Sequence, residues 1–406
     1  MHTRRQLLRP IGETGAVTYP ITDLPIAPGE AALDALPTLE RALAGGAPVR
    51  PYAADTTPEP LPEHTDPLPD DLAVVIGTSG STGTPKLAML GAQALAASAA
   101  ATHDRLGGPG QWLLALPPHH VAGLQVLLRS VHAGTRPVVT DPSLTPFALV
   151  EAVAGMSGER RYASLVPAQL AQLAADPVGL EGLRRLDAVL VGGAAASPQV
   201  VETARGAGVR VVLTYGMSET CGGCVYDGRA LTGVDVAVDD SGTLVLGGPV
   251  VAHGYYGRPD LTAAHFVERG GQRWFRTSDL GSVDEHGKVS VLGRADDLIN
   301  SGGLKVAPRT VEEAVLSHVP AITEAIAVGV PHERWGEGVA LLVVTSPHGP
   351  PAGRVPDEGV AHIREMLRAH LPAHALPHQV LVAEALPTRG PGKPDRAAAA
   401  RAFEAP

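Results

Sequence analysis

Cysteine is nearly missing from these 406 residues: Cys221 and Cys224 are the only two. One close pair cannot build a disulfide framework, so the composition fits a reducing cytoplasm. Aromatic residues make up just 3% of the chain, which leaves Leu, Val and Ala to build the core. No apolar run approaches the roughly 20 residues of a membrane-spanning helix, so membrane insertion is not expected. An excess of positive charge is also missing. The formal net charge is -10, and no Lys/Arg cluster exceeds a few residues. Both facts argue against nucleic acid as a partner. They do not argue against a small anionic ligand, because local charge and backbone N–H groups decide that. Thr3-Arg4-Arg5-Gln6-Leu7-Leu8 has the look of a twin-arginine signal, but Arg9-Pro10-Ile11-Gly12-Glu13 supplies no apolar segment after it.

What is present is an alternating pattern. The length calls for two or three domains. Residues 51–70 carry six prolines and several acids, and read as a surface connector between an N-terminal piece and the main body. Beyond it, short β-branched runs alternate with Ala/Leu-rich helical stretches, which predicts α/β architecture. Strands are expected at 72–76, 187–191 and 210–213, and a helix at 92–106. Each of these strands runs into a Gly-rich or polar loop, the place where open α/β sheets bind ligands. From about 232 the pattern shortens to strands at 243–246, 274–276 and 289–292, a β-rich subdomain reaching 295. A new α+β pattern follows, with helices at 310–317 and 358–370 and strands at 325–330 and 339–345. The division expected is 1–295 and 296–406, the second unit a small mobile cap.

The sharpest feature is Thr78-Ser79-Gly80-Ser81-Thr82-Gly83-Thr84-Pro85-Lys86. Hydroxyls, backbone N–H groups freed by two glycines, and one cation suit a polyphosphate. It is not a Walker A loop, since Thr84-Pro85 separates Gly83 from Lys86. A Ser/Gly linker is the competing reading, but a linker needs neither the Pro-Lys end nor a preceding buried strand.

Other segments carry chemistry too. Tyr215-Gly216-Met217-Ser218-Glu219-Thr220 follows a predicted strand and offers a carboxylate, which Mg2+ accepts beside phosphate oxygens. Gly192-Gly193-Ala194 ends another strand; alone it is as readily a turn. Asp279 lies in Thr277-Ser278-Asp279-Leu280-Gly281. Arg294-Ala295-Asp296-Asp297 follows, then Ser301-Gly302-Gly303-Leu304-Lys305. Pro117-Pro118-His119-His120-Val121-Ala122-Gly123 holds a histidine that could equally be structural. Gly390-Pro391-Gly392-Lys393-Pro394-Asp395-Arg396 lies near the C-terminus, where a lysine is ordinarily a solvated charge. Cys221-Gly222-Gly223-Cys224 could be redox-active or metal-binding, but it lacks nearby ligands to complete a zinc site, and packing behind the preceding loop explains it more simply.

Taken in order across residues 72 to 396, these segments resemble the adenylate-forming superfamily of acyl-CoA synthetases, peptide-synthetase adenylation domains and firefly luciferase. The phosphate loop departs from the family pattern by having Leu87, not Gly, after the lysine. The resemblance implies an enzyme that uses ATP and Mg2+ to make an acyl-adenylate and then passes the acyl group to coenzyme A. Thr78 to Gly83 and Lys86 would bind the phosphates, with Ser218 on a phosphate and Glu219 on Mg2+. Gly192, Gly193 and Ala194 would line the adenine and acyl pockets together with Tyr215 and Gly216. Asp279 would take the ribose hydroxyls and Arg294 would contact the nucleotide. His120 would stand beside the acid, and Lys393 would steady the carboxylate and α-phosphate. Asp296 would be a hinge. Ser301, Gly302 and Gly303 would enter the site for the thioester step, replacing Lys393 by domain rotation.

The substrate is narrowed by Ser164-Leu165-Val166-Pro167-Ala168-Gln169-Leu170, by Ser218 to Gly228 and by His103 to Gly110. These resemble the o-succinylbenzoate–CoA ligases of menaquinone biosynthesis, especially the short actinobacterial form. That aromatic acid carries two carboxylates. Ser164 and Gly192 are expected near it, and Arg160 and Arg161 are candidates to hold the second carboxylate, with surface ion pairs as the alternative. An aryl- or fatty-acyl-CoA ligase, an enzyme loading a carrier protein, and an inactive nucleotide-binding regulator are the rival readings. Monomer or homodimer stays open.

Overall fold

The computed structural model describes residues 20–78, 86–141, 143–346, 349–389 and 393–404, without the side chains of Arg389 and Lys393. The phosphate-loop residues Ser79, Gly80, Ser81, Thr82 and Gly83 therefore lie outside the described residues, as does the twin-arginine segment.

The architecture is mixed α/β, as the alternating pattern predicts. At its centre is a seven-stranded sheet. Its strands run in the order Arg229–Ala230, Gly222–Tyr226, Val211–Met217, Ala188–Val191, Arg161–Leu165, Gln111–Leu114, Val138–Val139. The last five are mutually parallel. Ala188–Val191 is buried along its whole length, which is why it reads as an unbroken apolar run. Successive residues face opposite sides. Trp112 and Leu114 join one hydrophobic core, and Leu113 joins the other. Each fully buried Leu or Val contributes about 1.5–3 kcal/mol.

Helix Ala92–Leu106 begins and ends where the pattern placed it. It stops because Gly107 turns left-handed (φ +102°) and closes the last turn, with Arg105 near the negative end of the dipole. Helix Val121–Ala133 stops the same way at Gly134.

A five-stranded sheet packs alongside, and here the sequence reading is corrected. Thr22–Ile26, Val49–Ala53 and Leu72–Thr78 pair in parallel, followed by antiparallel Lys86–Gly91 and Gly254–Tyr255. Residues 51–53 are thus strand, not connector. Strands Thr22–Ile26 and Val49–Ala53 are part of the main body, because parallel pairing fastens them to Leu72–Thr78. Pro51, the middle residue of Val49–Ala53, is tolerated because that strand pairs with Leu72–Thr78 only at Val49, which leaves its edge open beyond that residue.

A third, antiparallel sheet is formed by Asp235–Val238, Thr243–Gly247, Gln272–Val283, Phe266–Arg269 and Val289–Arg294. The strand expected at 274–276 is far longer, and it carries Asp279. The fourth sheet contains Ile299–Ser301, Leu304–Val306, Ile322–His332, Gly336–Thr345, Gly353–Arg354 and Gln379–Val382. It is covered by helices Pro308–His318 and Asp357–Leu367 around a core of its own, with Val311, Val315, Leu341 and Leu367 buried. Thr388–Arg389 and Lys393–Pro394 form a separate two-stranded hairpin. No helix among the described residues is long and apolar enough to cross a membrane.

Candidate active site

The carboxyl ends of three parallel strands bring Ser164, Gly192 and the Tyr215 segment to one edge of the central sheet. The strand expected to stop at 213 continues to Met217, because Gly222–Tyr226 folds back on it as an antiparallel partner. That hairpin explains two glycines. A Cβ on Gly216 would stand 2.1 Å from the Gly222 carbonyl oxygen, and one on Gly192 would stand 2.3 Å from Thr214 Oγ1.

Between the two strands lies a single turn, Ser218–Thr220, whose three residues are all buried. The Thr220 hydroxyl donates to the Gly222 carbonyl at 2.8 Å and accepts from the Met217 N–H at 3.1 Å. Cys221 then takes a left-handed conformation (φ +52°). Its carbonyl accepts from Ser98 Oγ at 3.0 Å and Gln125 Nε2 at 2.5 Å, which come from the two helices behind the sheet. Glu219 is 7% exposed, and its Oε1 accepts a 2.7 Å hydrogen bond from the Tyr255 hydroxyl. Its other oxygen takes no hydrogen bond from the described residues.

Tyr215 reaches across to the third sheet, where its hydroxyl donates to Asp279 Oδ2 at 2.7 Å. Burial and the Asp279 carboxylate push this phenol well above its ordinary value, so it stays a donor. Arg294 is paired in register with Asp279 across two antiparallel strands, and its guanidinium lies 3.9 Å from Asp279 Oδ1. The same guanidinium grips Asp296 at 2.8 and 2.7 Å. Tyr215, Asp279, Arg294 and Asp296 are therefore one connected chain of polar contacts.

Lys86 opens the strand opposite Thr78, and its ammonium sits 5.4 Å from the centre of the Tyr255 ring. His120 is the residue just before helix Val121–Ala133, with its ring 4.3 Å from that of His119, whose own pKa is lowered by burial. Farther along the chain, Ser301 is buried, and Gly302 and Gly303 are both left-handed. The Gly302 N–H donates to the Trp335 carbonyl at 3.0 Å. Lys393 lies opposite Arg389 in the C-terminal hairpin, its side chain outside the description.

The chain as a whole has relatives. A model of the AMP-binding enzyme matches residues 23–256, and one of the AMP-binding enzyme C-terminal domain matches 311–393. This chain belongs to the AMP-binding enzyme family. It is 44% identical over 386 residues to a probable 2-succinylbenzoate–CoA ligase of Mycobacterium tuberculosis (strain CDC 1551 / Oshkosh), covering 92% of this chain and 96% of that one. It is 33% identical over 341 residues to the 2-succinylbenzoate–CoA ligase of Geobacillus kaustophilus, covering 78% and 66%. Among solved structures it is similar to the amide bond synthetase McbA from Marinactinospora thermotolerans, at 25% identity with TM-score 0.73 over 94% of this chain and 89% of that one. It also shares its fold with the o-succinylbenzoate CoA synthetase of Bacillus subtilis in complex with an acyl-adenylate intermediate, at 24% identity with TM-score 0.71, covering 94% and 88%.

In this AMP-binding enzyme, Arg160 and Arg161 sit away from the edge that carries Gly192 and the Tyr215 segment. They stand at the amino end of strand Arg161–Leu165, about 13 Å of strand from the edge where Leu165 and Gly192 meet. The Arg161 N–H donates to Asp187, its Nε donates to the Gly158 carbonyl at 3.3 Å, and Arg160 packs near Gly108. A parallel strand presents its two ends to opposite edges of the sheet, so the pair stands at the edge away from Ser164 and Gly192. Cys221 and Cys224 are free thiols, both buried. Burial pushes both upward, Cys224 to about 12, so neither is a thiolate at neutral pH.

Among the described residues, no three His, Cys, Asp or Glu side chains are grouped to hold a metal. A single Glu with one uncommitted oxygen does fit Mg2+, which binds through one or two carboxylates and completes its shell with phosphate and water. Sequence reading missed Tyr255, Ser98 and Gln125. Tyr255 had a signal of sorts, a tyrosine after glycine in Gly254-Tyr255-Tyr256-Gly257. Ser98 and Gln125 sit inside ordinary helical stretches and had none.

Proposed function

We propose that this chain is an ATP-dependent acid–CoA ligase that converts o-succinylbenzoate to o-succinylbenzoyl-CoA. The observation that carries the reading is the Val211–Tyr226 hairpin: it sets the Glu219 carboxylate and the Asp279-bonded Tyr215 on one edge of the sheet, beside Lys86. The 44% identity to a probable 2-succinylbenzoate–CoA ligase over nearly the whole chain supports the choice of acid.

Asp279 takes the ribose hydroxyls with its two oxygens, and Arg294 approaches the nucleotide from the neighbouring strand. Gly192, Gly193 and Ala194 leave room for flat rings against the backbone. Thr78, Lys86 and Ser218 bind the phosphates. Glu219 would hold Mg2+, which when bound offsets the charge of the triphosphate. His120 and Ser164 flank the acid. In the first step a carboxylate oxygen of the acid attacks the α-phosphorus, the bond to the bridging oxygen breaks, and pyrophosphate leaves. Lys393 stands as a cation where negative charge collects in that transition state. In the second step the CoA sulfur attacks the acyl carbonyl and AMP leaves, with Ser301, Gly302 and Gly303 lining the thiol's approach. Lys393 and that loop take turns by rotation of residues 296–406 against 1–295 about Asp296. The cytoplasm, where ATP and CoA are abundant, is the proposed location.

The test is purified protein with ATP, Mg2+ and CoA against a panel of carboxylic acids. CoA-dependent AMP release greatest with o-succinylbenzoate is the expected result. A stronger response to another acid overturns the substrate, and AMP release indifferent to CoA overturns the acceptor.

A further inference from the structure

Tyr255 lies on the two-residue strand Gly254–Tyr255, opposite Ala88 and two residues along from Lys86. Its ring is 2% exposed and is held edge-on by Phe266, with centroids 5.4 Å apart at 77°, and by His265 at 90°. Its N–H donates to Thr262 Oγ1 at 2.9 Å. Thr262 comes this close because residue 254 is glycine: a Cβ there would stand 2.5 Å from the threonine Cγ2. The ring is thus fixed by packing and its backbone by a hydrogen bond. Its two functional ends face different partners. The hydroxyl donates to Glu219 Oε1 at 2.7 Å, and the ring face carries the Lys86 ammonium at 5.4 Å.

We infer that Tyr255 is a positioning residue for ATP: its hydroxyl fixes the Glu219 carboxylate and its ring seats the Lys86 ammonium, so one buried side chain sets the spacing between them. The inference rests on the proposed roles of Glu219 in holding Mg2+ and of Lys86 in holding phosphate. Bonding one carboxylate oxygen to Tyr255 leaves the other for the metal. Partners that orient a metal ligand in this way typically alter metal affinity by roughly 10–100-fold when removed.

The experiment is a Mg2+ titration of ATP binding by calorimetry, with no acid present, on wild type and Tyr255→Phe. The substitution keeps the ring and removes only the oxygen. The Mg2+ midpoint is expected to rise about tenfold, while ATP binding without metal stays within about twofold because Lys86 keeps its seat. In a Glu219→Gln background the same substitution is expected to move the midpoint no further, since the two residues act through one contact. A wild-type chain that binds no Mg2+·ATP overturns both the site reading and this inference. Normal Mg2+·ATP binding with an unmoved Tyr255→Phe midpoint overturns the inference alone. Should Tyr255→Phe fail to fold, 3-fluorotyrosine placed at 255 keeps the hydroxyl and reports by fluorine resonance. That signal is expected to shift when Mg2+ joins ATP, and indifference to Mg2+ overturns the inference.

Discussion

Two regions are proposed to meet the same triphosphate, and they are built differently. The Val211–Tyr226 hairpin lies within a seven-stranded sheet, with Glu219 buried and bonded to Tyr255, and Cys221 held by two helices. The hairpin carrying Lys393 has strands of two residues and forms a sheet by itself. Its anchor is the residue pair that follows. Asp395 caps helix Arg396–Arg401 by accepting from the Ala398 N–H at 3.0 Å, and Arg396 bonds Asp297 at 3.0 Å, Glu312, and the Ala327 carbonyl at 2.9 Å. The contrast teaches which groups suit both chemical steps. On the proposed mechanism, the residues used in both steps are held within a large sheet, whereas the one used only for adenylation is carried on a small piece tied through Arg396 to Asp297, beside Asp296.

The largest effect that would sharpen this contrast is at Lys393. Lys393→Ala is expected to slow adenylation by about 10²–10³ while thioester formation from preformed acyl-adenylate persists. Pyrophosphate release measures the first step, and single-turnover thioester formation measures the second. Equal loss in both would erase the proposed division of labour.

Next in size is the anchor. Glu312 is buried, and its carboxylate also accepts from the Ala327 N–H at 2.9 Å. Removing its cation with Arg396→Met leaves a buried carboxylate without its ion partner, a change expected to cost about 3 kcal/mol. Hydrogen exchange should report that loss in helices Pro308–His318 and Arg396–Arg401, with the Val211–Tyr226 hairpin still protected. A loss spread evenly over both regions would show that the anchor is not local.

The two regions were unequally legible in the sequence. Only four of the 32 Lys and Arg residues are lysines, and three of them, Lys86, Lys305 and Lys393, fall in the loops singled out by pattern. Helix Ala92–Leu106 and the carboxyl-end loops were also readable, because periodicity and glycine placement are local signals. Long-range pairing was not. Residues 51–53 looked like connector because proline is locally a breaker, yet sheet partners from elsewhere make them strand. Arg160 and Arg161 precede Ser164 closely in sequence, but strand direction puts them at the edge opposite the proposed acid site. Tyr255 was missed because its meaning comes from Glu219, 36 residues away.

The smallest effect separates the regions by acid sensitivity. Each holds a histidine kept neutral. His103 is 4% exposed, and its Nε2 accepts from Trp112 Nε1 at 3.2 Å. Burial, aided by Arg129 and His132, lowers its pKa from 6.5 to about 4. His378 is lowered to about 4 by burial and by Arg364, and its ring lies 4.7 Å from that of Trp335. A histidine that binds its proton more weakly when folded stabilises the fold fully above pH 6.5, and that contribution fades as pH falls toward 4. Between pH 7 and 5 the His103 share of the loss is on the order of 1–2 kcal/mol. Denaturant unfolding at both pH values, followed by tryptophan fluorescence in a Trp274→Phe background, can separate the two, since Trp112 then reports on the central sheet and Trp335 on the C-terminal one. His103→Gln is expected to flatten the acid loss of the Trp112 transition and leave the Trp335 transition as steep as before, and His378→Gln to do the reverse. If either substitution flattens both transitions equally, the two regions unfold as one unit, and the independence proposed for the cap does not extend to its stability.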